Sequence, residues 1–178
     1  LVRDAQVSGV AFTGGTDTAR RINRMLAERD GAIPPFIAET GGLNAMIADS
    51  TALPEQLVRD AVMSAFDSAG QRCSALRVLF LQGDIADKVL KLLSGAVDEL
   101  KIGDPMKLDT DIGPVIDADA LSMLEAHAAR MSREARTIVE ATLSNETGDG
   151  YFFAPRAYEI ESIGTRRKEI AVKIGRAH

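Results

Sequence analysis

The one cysteine of this chain, Cys73, stands between Arg72 and Ser74 just ahead of an apolar run. A thiol attacks carbon as its thiolate, so a nucleophilic role needs a neighbouring cation or a helix N-terminus to lower its pKa, and access for substrate. Without that setting a lone cysteine is a small buried hydrophobe. Glu39 closes the short apolar run Phe36-Ile37-Ala38 and is followed by Thr40-Gly41-Gly42. A carboxylate there, partly desolvated, gains the raised pKa of a general base, whereas one that only bonds its own turn does not. The third candidate is Thr13-Gly14-Gly15-Thr16, between an apolar run and a helical pattern. Glycines allow a tight turn, and the N–H groups of a helix start, aided by the helix dipole, can hold a phosphate. The same residues also make an ordinary helix cap, and they form neither a Gly-x-Gly-x-x-Gly fingerprint nor a P-loop with its lysine.

Other chemistries find little support. Of the two histidines, His127 sits in a helical pattern and His178 is the last residue, so a Cys/His pair has few members to draw on. There is no Cys or His pair at ligand spacing, and Asp104, Asp109 and Asp111 lack an EF-hand's spacing and terminal Glu, so no metal site is expected. With 21 Lys and Arg against 26 Asp and Glu, the net charge of −5 provides no positive field for nucleic acid. Apolar runs are broken by Asp, Arg or Gly well short of the roughly 18 to 20 residues of a membrane span, and Leu1-Val2-Arg3-Asp4 does not open a signal peptide. A single cysteine cannot form an internal disulfide, which leaves the cytoplasm as the expected location. A start at Leu1 without Met leads one to expect an excerpt, and 178 residues at 46% hydrophobic and 26% charged suit about one globular domain.

The elements that must position these residues follow from periodicity. Val7 to Phe12 predicts a strand, a turn follows over Thr13 to Thr18, and a helix runs to about Glu28 with Ile22, Met25 and Leu26 on one stripe. Phe36 to Ala38 and Asn44 to Ala48 read as strands, and about Pro54 to Asp67 as a helix with proline in its first turn. Ala69 to Ser74 breaks that pattern before a strand over Leu76 to Leu81 and a helix over Ile85 to Leu100. Lys101 to Pro114 reads as loop, about Ala118 to Glu134 as helix, Thr137 to Leu143 as strand, Ser144 to Gly150 as turn, and Tyr151 to Ile160 as a strand pair bent at Pro155. Strands alternating with helices predict an α/β fold with a mainly parallel sheet flanked by helices.

Taken together, Phe12-Thr13-Gly14 after one strand, Glu39-Thr40-Gly41-Gly42 after the next, and Gly70-Gln71-Arg72-Cys73 further on resemble the aldehyde dehydrogenase superfamily, whose general-base Glu and nucleophilic Cys stand in that order. Cys73 lies 34 residues after Glu39, and Gly103-Asp104-Pro105 and Asp111-Ile112-Gly113-Pro114 also fit the family's catalytic domain. Within it, the stretches Ala38 to Gly42, Ala65 to Ala75 and Gly150 to Pro155 are similar to the L-glutamate γ-semialdehyde dehydrogenase part of bacterial bifunctional proline utilization flavoenzymes. The resemblance covers about residues 1 to 163.

The resemblance implies a partial aldehyde dehydrogenase-like fold. Residues 1–35 would be the C-terminal piece of an NAD-binding Rossmann-like domain, 36–163 an incomplete catalytic domain, and 164–178 a divergent tail. Cys73 would attack the aldehyde, Glu39 would activate the hydrolytic water, and NAD would accept hydride. Thr13, Gly14, Gly15 and Thr16 would lie by the pyrophosphate, Thr40 and Gly41 by the nicotinamide, and Ser74 would hold the substrate's α-carboxylate. FAD enters only with a proline dehydrogenase domain elsewhere in a parent chain, itself expected to be a homo-oligomer. The family's oxyanion-hole Asn and ribose-contacting Lys fall upstream of residue 1, so this stretch alone is expected to lack activity. Its Glu-aliphatic-Phe-Gly-Pro motif is here Glu169-Ile170-Ala171-Val172, and no ribose-binding role passes to Glu169. The alternatives are an NAD(P)-dependent aldehyde dehydrogenase for another substrate and a catalytically inactive fragment.

Overall fold

The computed structural model describes residues 1–144, 147–148 and 150–160, and the backbone of 172–177. The chain divides into two compact units, Leu1–Gly42 and Leu43–His178.

In the first unit, β1 (Val10–Thr13) and β2 (Phe36–Glu39) pair in parallel, joined by α1 (Thr16–Ala27). The strand begins at Val10 rather than Val7 because the backbone before it is otherwise engaged. Val7 N–H closes a turn onto Asp4 O at 3.1 Å, and Val7 O accepts from Arg29 Nη1 at 2.9 Å instead of from a neighbouring strand. α1 buries Ala19 and Leu26 and is followed at Gly31 by a left-handed φ of 94°, a conformation that glycine takes without the Cβ penalty. Because β2 pairs with β1, it belongs to the first compact unit, which runs to Gly42.

The second unit is a five-stranded sheet in the order β3-β4-β7-β6-β5, from β3 (Asn44–Ala48), β4 (Leu76–Gln82), β5 (Arg136–Glu140), β6 (Arg156–Ile160) and β7 (Val172–Ala177). All neighbours are parallel except β5 and β6. β4 is an almost unbroken apolar run, as suits a strand covered on both faces. α2 (Pro54–Phe66) contributes Leu57, Val58, Ala61, Ala65 and Phe66, and α3 (Gly83–Asp98) contributes Ala86, Val89, Leu90, Leu93 and Val97, to one core with Leu79, Leu81 and Ala157. Burying a Leu or Val side chain of this kind stabilises by about 1.5–3 kcal/mol. α4 (Ala118–Glu134) is capped by Asp117, whose Oδ1 accepts from Ala120 N at 2.8 Å.

The antiparallel edge is matched by charge: Arg136 stands opposite Glu159 and Glu140 opposite Arg156, and both pairs form ion pairs. The strand pair expected over Tyr151 to Ile160 is a single strand from Arg156. Residues 151–155 are instead tied to other segments, Tyr151 O accepting from Val115 N at 2.7 Å and Pro155 O from Ala141 N at 2.8 Å. Lys101 to Pro114 is a closed loop with an Ile102–Ile112 bridge that buries both side chains. The tail expected over 164–178 falls partly outside the described residues, as does Glu169. Within it, Val172–Ala177 is β7, between β4 and β6.

Candidate active site

The cysteine loop is built on an unusual backbone. α2 ends at Phe66, and Ser68, Ala69 and Gly70 then take left-handed conformations in succession, with φ of 57°, 53° and 68°. For the two residues with a Cβ this disfavours the turn by roughly 1–2 kcal/mol each, so contacts elsewhere must hold it. Arg77 Nη2 donates to Gly70 O at 2.6 Å, and Gln71 N and Nε2 both donate to Ser68 O at 3.0 Å. Gln71 also reaches the loop before α4, with Oε1 accepting from Ile116 N at 2.8 Å. Gly70 is the one residue type that fits: a Cβ there would sit 2.8 Å from Ala65 O and 3.1 Å from Arg77 Nη1.

On the far side of the thiol, Asn44 at the start of β3 donates through Nδ2 to Cys73 O at 2.7 Å and Ala75 O at 2.9 Å. Between the pairings Asn44–Leu76 and Ala45–Val78, β4 carries one more residue than β3. Arg77 is that residue, and a bulge of this kind re-aims a side chain beside a functional loop. Arg77 is 9% exposed, and burial pushes its pKa down.

Held from both sides, Cys73 and Ser74 are exposed. The Cys73 N–H makes no hydrogen bond among the described residues, so it is available to an oxyanion. Arg72, the cation next to the thiol in sequence, donates instead to Met63 O at 2.9 Å, in the last turn of α2.

The first unit brings the glycine turn and Glu39 together. Thr13 and Glu39 are register partners, and Gly14 N donates to Glu39 O at 3.0 Å. Gly15 is the N-cap of α1 and no side chain caps the helix, so Thr16 does not take the capping role that the sequence allowed. Thr13, Gly14, Gly15 and Thr16 are exposed, and apart from its chain neighbours no atom lies within 4 Å of the place a Cβ would take at Gly15 or Gly41. Thr40 is half-buried. Glu39 is exposed, so the partial desolvation expected of it is not found. Glu39 lies in the first unit and Cys73 in the second.

Residues 1–159 match the aldehyde dehydrogenase family. The chain belongs to that family. It is 48% identical to the bifunctional protein PutA of Klebsiella aerogenes, over 96% of this chain and 14% of that protein. A crystal structure of a mutant Bradyrhizobium japonicum proline utilization A is 49% identical with a TM-score of 0.93, over 99% of this chain and 18% of the other. A 1-pyrroline-5-carboxylate dehydrogenase structure is 25% identical with a TM-score of 0.86, over 99% of this chain and 35% of the other. This aldehyde dehydrogenase chain thus spans 14% of the length of the curated relative. Among its described residues no cluster of His, Cys, Asp and Glu suits a metal ion, and no helix is long and apolar enough to cross a membrane. Sequence reading found the thiol, the carboxylate and the glycine turn of this chain but gave no role to Asn44 or Arg77. Asn44 starts a short strand like any polar residue, and no local signal marks a hydrogen bond across 29 residues.

Proposed function

We propose that this chain carries the nucleophile and the general base for NAD-dependent oxidation of L-glutamate γ-semialdehyde to L-glutamate. Cys73 Sγ, as thiolate, adds to the aldehyde carbon to give a thiohemiacetal, whose oxyanion accepts from the Cys73 N–H. Bound NAD+ supplies the acceptor for the hydride that leaves this carbon, and the adduct becomes a thioester on Cys73. Glu39 takes a proton from water as that water attacks the thioester carbonyl, releasing glutamate and the free thiol. Ser74 donates to the α-carboxylate of the substrate. The backbone of Thr13, Gly14, Gly15 and Thr16 holds the dinucleotide's pyrophosphate, and Thr40 and Gly41 border its flat ring. The uncapped start of α1 and the open space at Gly15 and Gly41 fit such a group. The protein acts in the cytoplasm as a homo-oligomer.

The observation that carries this reading is the chain's only thiol, exposed on a braced loop with its own N–H uncommitted. The 48% identity to a PutA protein supports the choice of substrate. The test uses a longer reading frame that contains this segment, assayed for NADH formation with glutamate γ-semialdehyde. Cys73→Ala is expected to abolish turnover, and Glu39→Gln to leave a thioester that accumulates on Cys73, visible by mass spectrometry. Turnover unchanged in Cys73→Ala refutes the nucleophile; an unchanged steady state in Glu39→Gln refutes the base.

A further inference from the structure

A pocket of about 570 Å³, counting its open mouth, lies within the second unit behind the cysteine loop. Phe66, Ile112, Val115, Leu124 and Phe153 give it an apolar wall, and neither Cys73 nor Ser74 lines it. Two of its polar groups bear on what it can hold. Tyr158 is 1% exposed, and its hydroxyl has no hydrogen-bond partner among the described residues. Arg77 is 9% exposed, and its one hydrogen bond among the described residues goes to a neutral carbonyl, Gly70 O. No carboxylate among the described residues pairs with it, and burial is the sole influence on its pKa. A buried hydroxyl without a partner is unfavourable by kcal/mol amounts, and a guanidinium whose charge no carboxylate offsets favours an anion beside it.

A negative group suits this wall. The other cation on the wall, Arg156, already pairs with Glu140 at 2.8 Å and stacks on Phe153, and no acidic side chain among the described residues lines the pocket. Water would satisfy the Tyr158 hydroxyl but would neither neutralise Arg77 nor cover the apolar wall. We propose that this pocket binds a small amphiphilic carboxylate, whose oxygens accept from the Arg77 guanidinium and the Tyr158 hydroxyl while its apolar body lies against Phe66, Ile112 and Leu124. The site is separate from the one assigned to the aldehyde, and it stands whether or not the proposed oxidation does.

Benzoate is the probe, titrated into the longer reading frame that contains this segment and followed by calorimetry. Saturable binding is expected, with benzyl alcohol, its uncharged counterpart, at least about tenfold weaker, the effect of losing one charge-assisted hydrogen bond. Tyr158→Phe is expected to melt no lower than the parent, because the hydroxyl it removes has no partner among the described residues, yet to bind benzoate about fivefold more weakly. Arg77→Leu is expected to abolish binding; where that variant does not fold, Tyr158→Phe and benzyl alcohol decide. Absence of saturable benzoate binding, equal affinity for benzyl alcohol, or an unchanged benzoate affinity in Tyr158→Phe overturns the proposal.

Discussion

Replacing Gly70 by alanine puts a methyl group where the cysteine loop has no room for one. Three effects set the size of the loss. At φ +68° an L-residue is disfavoured by about 1–2 kcal/mol. The new Cβ would lie 2.8 Å from the Ala65 carbonyl oxygen, a backbone atom of α2, and 3.1 Å from Arg77 Nη1, so the backbone must shift. That shift weakens the 2.6 Å bond from buried Arg77 to Gly70 O, a bond to a charged group of the kind that contributes about 1.5–3 kcal/mol. Against these stands a gain of about 0.4–1 kcal/mol from the stiffer unfolded chain. The expected net loss is about 2–4 kcal/mol. Urea unfolding followed by circular dichroism should show the midpoint falling by about 1–2 M, with the slope m unchanged at about 2 kcal/mol/M. A variant whose stability lies within about 0.5 kcal/mol of the parent would mean that the left-handed turn is not the loop's state in solution, and the account of how Cys73 is presented fails with it.

Ala69→Gly relieves the same kind of strain at φ +53°, and after the entropy lost by glycine it is expected to raise stability by about 0.5 kcal/mol; a lower melting temperature counts against the turn. Asn44→Ala removes both bonds from Nδ2 and is expected to lower stability by about 1–2 kcal/mol and to change the rate at which iodoacetamide alkylates Cys73, read by mass spectrometry on the chain's only thiol; an unchanged rate means that the clamp does not set the loop. The side-chain bond from Thr51, and then that from its backbone N–H, hold the Asp49 carboxyl below its ordinary value of 3.8. A carboxyl with a lowered folded-state pKa adds stability above the unfolded value and loses it as pH falls through the folded one. The melting-temperature gap between the parent and Asp49→Ala is therefore expected to narrow as pH drops past 3.8, and a gap that does not change with pH excludes the charge as its source.

Much of the fold is legible in the residues because it rests on local periodicity. The helices over Pro54–Phe66, Gly83–Asp98 and Ala118–Glu134 repeat apolar residues at helical spacing, and Leu76–Gln82 is an apolar run bounded by polar turns. Misplaced boundaries lie where a distant partner takes a backbone group, as Arg29 takes Val7 O and Val115 takes Tyr151 O. The chemistry of a thiol, a carboxylate and a glycine turn is likewise carried by residue type and order, and that sufficed to point to the aldehyde dehydrogenase family. Tertiary structure decided how the thiol is held: a bulge places Arg77 against Gly70, and Asn44 reaches the cysteine loop from another strand. It also decided that Glu39 is exposed and that Tyr158 and Arg77 share a pocket. Residue identity determines which bonds a side chain can make, but burial and partnership depend on atoms from remote segments, and only the folded chain sets those distances.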